Sequence, residues 1–249
     1  MNKEEALNFI RGGREKPREH LPVALVIDKS LSTSLIVDLL NRCIDQLVEH
    51  MKQDPIFRNV VELLVIHYNG NIEVAADFVP LTQVRPGQLD IRNCSGNTNT
   101  GKALLTALDR LEERRRKWDL DAQHHYQPLC VLLTDGYPDA GLHASNAYRR
   151  SVETDYAKAA ARIRELEKAQ KLTFIAAGIQ QRDVRFRANL QRLRELTIYP
   201  NRAIPISDEL ADLKHFDEFF TLIEKTTNAM FQSTPPEDIN QAFWEIGRL

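Results

Sequence analysis

The 249-residue chain carries 33 Lys plus Arg against 35 Asp plus Glu, a formal charge of −2, which provides no strong positive field for DNA, RNA or anionic lipid. Its three cysteines, Cys43, Cys94 and Cys130, are odd in number and lack CxxC spacing. That argues against a disulfide framework and a structural zinc site, and predicts a reducing, cytoplasmic setting.

Residues 1–20 read as a short charged helix with a Gly12-Gly13 break, without the apolar core of a signal peptide. Pro22 to Ile27 is a continuous apolar run, the mark of a strand covered on both faces. A helical pattern follows over 33–52, with Leu35, Ile36, Leu39, Leu40 and Ile44 on one face and Ser32 or Thr33 as an N-cap. Val60 to Tyr68 is a second strand, and Asn69-Gly70-Asn71 turns it into Ile72 to Val79, an antiparallel strand expected at an edge. Helices are predicted over 101–117, 153–171, 186–197 and 209–230, and further strands over Pro128 to Thr134 and Leu172 to Gly178. The alternation means a mostly parallel sheet with helices on both sides. One domain over 21–230 is expected, with extensions at 1–20 and 231–249. The tail beyond Ser233-Thr234-Pro235-Pro236 ends in Phe243-Trp244-Glu245-Ile246, placed to fold back or to meet a partner. No apolar stretch approaches the ~20 residues needed to span a bilayer.

The chemistry concentrates where strands end. In Asp28-Lys29-Ser30-Leu31-Ser32, one carboxylate and two hydroxyls stand at alternate positions directly after the first strand. Hard oxygen donors of this kind suit Mg²⁺ or Mn²⁺ rather than zinc or copper. Asp135, in Thr134-Asp135-Gly136, ends the strand Leu129 to Leu133, so both carboxylates should lie on one edge of the sheet. The polar loop Ser95-Gly96-Asn97-Thr98-Asn99-Thr100-Gly101 leads into a helix whose N-terminus faces that edge too. A carboxylate closing a buried strand needs a partner, and a cation satisfies it.

These residues resemble the metal-ion-dependent adhesion site of von Willebrand factor A (vWA) domains: Asp-x-Ser-x-Ser, then Gly-x-Thr-x-Thr-Gly before a helix, then Thr-Asp-Gly after a buried strand. The likeness covers about residues 20–230. Asp54-Pro55, Pro80-Leu81-Thr82, Ser95 to Leu104 and Leu132 to Asp139 are similar in pattern to bacterial vWA proteins of the tellurium-resistance (TerY-like) group. The resemblance implies a three-layer, doubly wound α/β fold with six strands, one of them antiparallel at an edge. It implies Asp28, Ser30, Ser32 and Thr98 as Mg²⁺ (or Mn²⁺) ligands, with Asp135 as ligand or acting through water, and Thr100 as a substitute for Thr98. It further implies binding without catalysis: a partner protein in a stress-response system supplies an Asp or Glu that completes the coordination. Family members usually carry Gly where Leu31 stands, so a loop needing positive φ there would strain this chain.

Other features have competing explanations. Gly96 to Lys102 also matches G-x-x-x-x-G-K, the phosphate loop of nucleotide hydrolases, with Asp135 as the acidic partner. The stretch before it is polar, however, and Ala103 replaces the hydroxyl that would hold Mg²⁺. Asp28 as a covalent phosphate acceptor would normally need a second acid, yet Ser30 occupies that place. An empty site in a purely structural interaction module is the third alternative. His124-His125 is read as a pair of solvated loop histidines on the opposite edge. Arg114-Arg115-Arg116-Lys117 is read as an exposed helix end, and Arg182, Arg185, Arg187, Arg192 and Arg194, on or before the next-to-last helix, as a solvated basic face, with a docking surface for an acidic partner as the alternative. Tyr137 and Asp139 would shape the rim beside Asp135, and Trp118 and Trp244 would pack.

Overall fold

A computed structural model describes residues 20–135, 144–180 and 188–207, together with 223 and 226. Six strands form one sheet in the order β3-β2-β1-β4-β5-β6: β1 Leu21–Asp28, β2 Val61–Tyr68, β3 Ile72–Pro80, β4 Leu129–Thr134, β5 Thr173–Gln180 and β6 Ala203–Ser207. All neighbours are parallel except β2 and β3. The hairpin partner is the antiparallel edge strand that the Asn69-Gly70-Asn71 turn predicted.

Strand periodicity sorts the side chains onto two faces. Leu21, Val23, Leu25 and Ile27 of β1 meet α1 (Val37–Gln53), which contributes Leu39, Leu40, Cys43 and Leu47. Ala24 and Val26 face α3 (Thr100–Leu120) and α4 (Asn146–Lys168), with Ala103, Leu104, Ala107 and Ile163 against them. Each fully buried Leu or Ile in these layers contributes about 1.5–3 kcal/mol of transfer free energy. No helix among the described residues is long and apolar enough to cross a membrane.

Several boundaries differ from those read in the sequence. Leu31–Leu35 form a 3-10 turn, and α1 starts at Val37 with no side-chain cap, so neither Ser32 nor Thr33 caps it. Thr33 instead donates to the Ser30 carbonyl at 2.7 Å. A short helix α2, Pro55–Val60, begins at Pro55, with the Asp54 carboxylate accepting from the Phe57 N–H at 3.3 Å. Helix α4 begins seven positions earlier than expected, at Asn146, because Ser145 caps it while its first two turns are polar and give no apolar period. The sixth strand, β6, lies in a stretch assigned to no element, and its central Pro205 is tolerated at an edge. A short helix α5, Leu190–Glu195, falls within the predicted 186–197. Of the predicted 209–230 helix only Ile223 and Thr226 are described, both helical and buried. The extensions 1–19 and 231–249, with Trp244, lie outside the described residues, as do Tyr137, Asp139, Arg182, Arg185 and Arg187.

The strand order reverses between β1 and β4. Chain connections leave these two neighbours in opposite directions, which opens a crevice at their carboxyl ends. Asp28 is the last residue of β1, and Asp135 follows the last residue of β4.

Candidate metal centre

Three loops are tied together at this crevice by backbone bonds. The Lys29 N–H donates to the Tyr68 carbonyl at 2.7 Å, the Ser95 N–H to the Lys29 carbonyl at 3.0 Å, and the Leu31 N–H to the Gly96 carbonyl at 3.3 Å. Asn69, in the hairpin turn, adds a side-chain bond to the Ser95 carbonyl at 2.7 Å, while its own carbonyl accepts from the Asn99 N–H at 3.0 Å. Gly96 supplies the positive φ, +74°, that the loop needs. Leu31 sits outside the left-handed region, so replacing the family's Gly costs no backbone strain here.

Asp28 is 1 % exposed, and its two oxygens have separate roles. Oδ1 accepts from the Ser30 N–H at 2.9 Å; Oδ2 accepts from Thr134 Oγ1 at 2.7 Å and from the Tyr68 hydroxyl at 3.5 Å. Burial pushes its pKa above the ordinary value, and these donors only partly offset that cost. Tyr68 is likewise held well above its ordinary pKa, by burial first and by the neighbouring Asp28 charge second. It therefore stays a neutral donor. A buried carboxylate that resists ionisation in isolation is what a cation would relieve.

The hydroxyls form a chain. Ser30 Oγ lies 3.1 Å from Ser32 Oγ, and Ser32 Oγ donates to Asp135 Oδ1 at 3.0 Å. Adjacent corners of an octahedron with metal–oxygen bonds of about 2.1 Å are about 3.0 Å apart, so oxygens at this spacing fit the edges of a Mg²⁺ coordination sphere. Ser30 and Asp135 are buried, 2 % and 0 % exposed. The structure thus gathers four of the five predicted site residues, Asp28, Ser30, Ser32 and Asp135, at one place. Thr98 is buried just ahead of α3, and Thr100 joins Asp28 through the Tyr68 hydroxyl, at 3.3 Å. Asn99 caps α3, its side chain accepting from the Lys102 N–H.

Sequence reading missed Tyr68, Thr134 and Asn69. For Tyr68 and Thr134 the signal was present: each places a hydroxyl at the last position of a buried strand. Two other expectations change. His125 is not simply solvated, because it stacks on Trp118 at 5.7 Å and its Nε2 lies 2.9 Å from Asp119. Arg114 is tucked against Glu62, with its guanidinium over the Phe78 and Trp118 rings. Arg192 is similarly held, over the Tyr156 ring and beside Glu153. Burial raises the Cys94 thiol, so it is no reactive thiolate. The phosphate-loop alternative finds no support, since residues 90–97 form no strand and Lys102 is exposed.

Fold and site together define a vWA-type α/β domain. The chain matches the von Willebrand factor type A domain family over residues 23–216, and it belongs to that family. No curated protein matches it. Among solved structures it is similar to the pilus adhesin SpaC from Lactobacillus rhamnosus GG in an open conformation, with a TM-score of 0.56 at 14% identity, covering 82% of this chain and 30% of that one. It is also similar to the PilB minor pilin from Streptococcus sanguinis, with a TM-score of 0.54 at 13% identity, covering 89% and 65%. This chain spans less than two thirds of the length of either. Domains of the family commonly serve as adhesion or protein-interaction modules.

Proposed function

We propose that this protein is a metal-dependent protein-binding module. Asp28, Ser30, Ser32, Thr98 and Asp135 would hold Mg²⁺ or Mn²⁺, directly or through water, and an Asp or Glu of a partner protein would complete the coordination. The observation that carries this reading is the run of oxygens from Ser30 through Ser32 to Asp135, spaced like octahedral edges at the switch point, with the Asp28 carboxylate fixed beside it by the Ser30 N–H. Membership of an interaction-module family supports a binding role rather than catalysis. A bound dication supplies a positive centre there, and the chain's own residues do the rest: Thr134 and Tyr68 orient Asp28, and Asn69 holds the loops in register. The motif likeness to the tellurium-resistance group supports a cytoplasmic stress-response setting in bacteria.

Isothermal titration with Mg²⁺ and Mn²⁺ tests the metal, and co-purification with and without chelator tests the partner. Saturable binding lost in Asp28→Ala, with chelator-sensitive partner recovery unaffected by Lys102→Ala, is expected. A flat isotherm from folded protein sinks the metal-bridged reading. ATP binding abolished by Lys102→Ala would favour a nucleotide site instead.

A further inference from the structure

Lys29, the residue between Asp28 and Ser30, also forms a wall of a cleft of ≈ 330 Å³ lined by His67, Glu73, Gln88, Asp90 and Arg92 among others. His67 is 2 % exposed, on β2 directly before Tyr68, and its Nε2 has no hydrogen-bond partner. The ring bonds to the Leu89 backbone, which by elimination is the work of Nδ1, and burial drives its pKa down to about 4. The imidazole is thus neutral near pH 7, with an N–H on Nδ1 and a lone pair on Nε2. An orphaned acceptor on a residue that lines a cleft is costly to leave unmade.

Charges around the cleft narrow what can satisfy it. Lys29 pairs with Glu73, and Asp90 and Arg92 add one charge of each sign. An anion would meet Glu73, Asp90 and the Nε2 lone pair; a cation would meet Lys29 and Arg92. We infer that the cleft takes an uncharged hydrogen-bond donor, a side-chain carboxamide or hydroxyl, from the same partner that the metal engages. Naming the partner as its source rests on the metal-bridged reading; the chemistry of the cleft does not. Lys29 adjoins both places, and an extended chain advances ~3.3 Å per residue, so a partner residue a few positions from the acid reaches the cleft. Glu73 is the exposed side of the Lys29–Glu73 pair and Lys29 the buried one, so opening toward a ligand falls to the Glu73 side chain.

The test uses full-length protein with ¹⁵N-labelled histidine, in chelator, so that no metal contributes. Acetamide should shift the His67 Nε2 resonance saturably, whereas acetate and guanidinium should not. His67→Phe removes the orphaned acceptor together with the Nδ1 bond to Leu89, and the folded variant should bind acetamide at least ten-fold more weakly. His67→Gln, which retains an acceptor, should restore binding. No saturable shift with acetamide, or an equal shift with acetate, overturns the proposal and leaves the cleft to ordered water. Mg²⁺ titration of wild type and His67→Phe separates the two readings: acetamide binding without Mg²⁺ binding sinks the metal centre and spares the cleft chemistry, and the reverse sinks the cleft alone.

Discussion

Ser32 Oγ donates a 3.0 Å hydrogen bond to Oδ1 of Asp135, a residue 103 positions further along the chain. The bond spans the reversal in strand order and ends the run of hydroxyls that begins at Ser30, beside Asp28. Two strand ends are thereby welded at the point where a dication would sit. Its loss should be read differently with and without metal, because the same oxygens either bond to each other or turn toward a cation.

Proton linkage at Asp28 gives the first prediction. Burial holds this carboxyl above its ordinary 3.8, so the native state binds its proton more tightly than the unfolded chain does. The metal-free domain must then lose stability from this group as pH rises from 3.8 through the raised native value, by about 1.4 kcal/mol for each unit of separation. Asp28→Asn lacks that loss. Thermal melts of the two proteins in chelator, from pH 4 upward, should show the variant gaining on wild type until Asp28 is fully ionised. Saturating Mg²⁺ should reverse the order at pH 7, and binding at pH values near the raised native pKa should release protons, seen as a buffer-dependent heat. A difference that is flat with pH contradicts the assignment.

Thr134 Oγ1 is the shortest hydroxyl contact to Asp28, at 2.7 Å. Thr134→Val keeps the shape and removes the donor, leaving Oδ2 with only the longer bond from Tyr68. Urea denaturation without metal should show a loss of about 1–3 kcal/mol at neutral pH and a smaller loss in acid, where Asp28 is protonated. Equal losses at both pH values would mean that Thr134 acts through packing alone.

How far this was legible in the sequence depends on the kind of signal. Leu21–Asp28 and Val61–Tyr68 are buried on both faces, so their apolar runs announced them and fixed where Asp28 must stand. Ala203–Ser207 announced nothing, being five residues with a proline at the sheet's edge. Carboxylates closing strands are visible in one dimension. Tyr68 and Thr134 reach Asp28 across neighbouring strands in register, since Asp28 pairs with Tyr68 and Ile27 with Leu133, and that adjacency exists only once the strand order is known. His67 stayed hidden for the same reason.

Glu167 and Arg202 form a second buried polar group, far from the site in sequence and 2 % and 3 % exposed. Burial raises the Glu167 carboxyl and lowers the Arg202 guanidinium, so both resist charging, while Thr197 Oγ1 and the Ile198 N–H also bond the carboxylate at 2.8 and 2.9 Å. This group fastens the end of α4 to the turn before β6. Arg202→Met should cost about 3–5 kcal/mol by stranding Glu167, and Glu167→Gln added to it should recover much of that. A double variant as unstable as the single one would show that Arg202 matters through its stacking on Tyr199 instead.

Gly101 separates the two explanations of the glycine-rich loop. In a phosphate-cradling loop the glycine would serve backbone approach to a nucleotide; here a Cβ at Gly101 would come within 2.2 Å of the Tyr156 backbone nitrogen and 2.3 Å of the Asp155 carbonyl carbon. The glycine lets the first turn of α3 press against the middle of α4, and neither backbone can retreat without opening the layer that holds Ala103, Leu104 and Ala159. Gly101→Ala should therefore destabilise the whole domain by at least about 3 kcal/mol, by the overpacking of a close-packed interior. Because α3 also sets the position of Thr98 and of Thr100, which bonds to Tyr68, a folded remnant should bind Mg²⁺ more weakly as well. Denaturation midpoints and Mg²⁺ isotherms on the same preparation check both. A stable Gly101→Ala protein with unchanged melting would place the helices further apart than they are found.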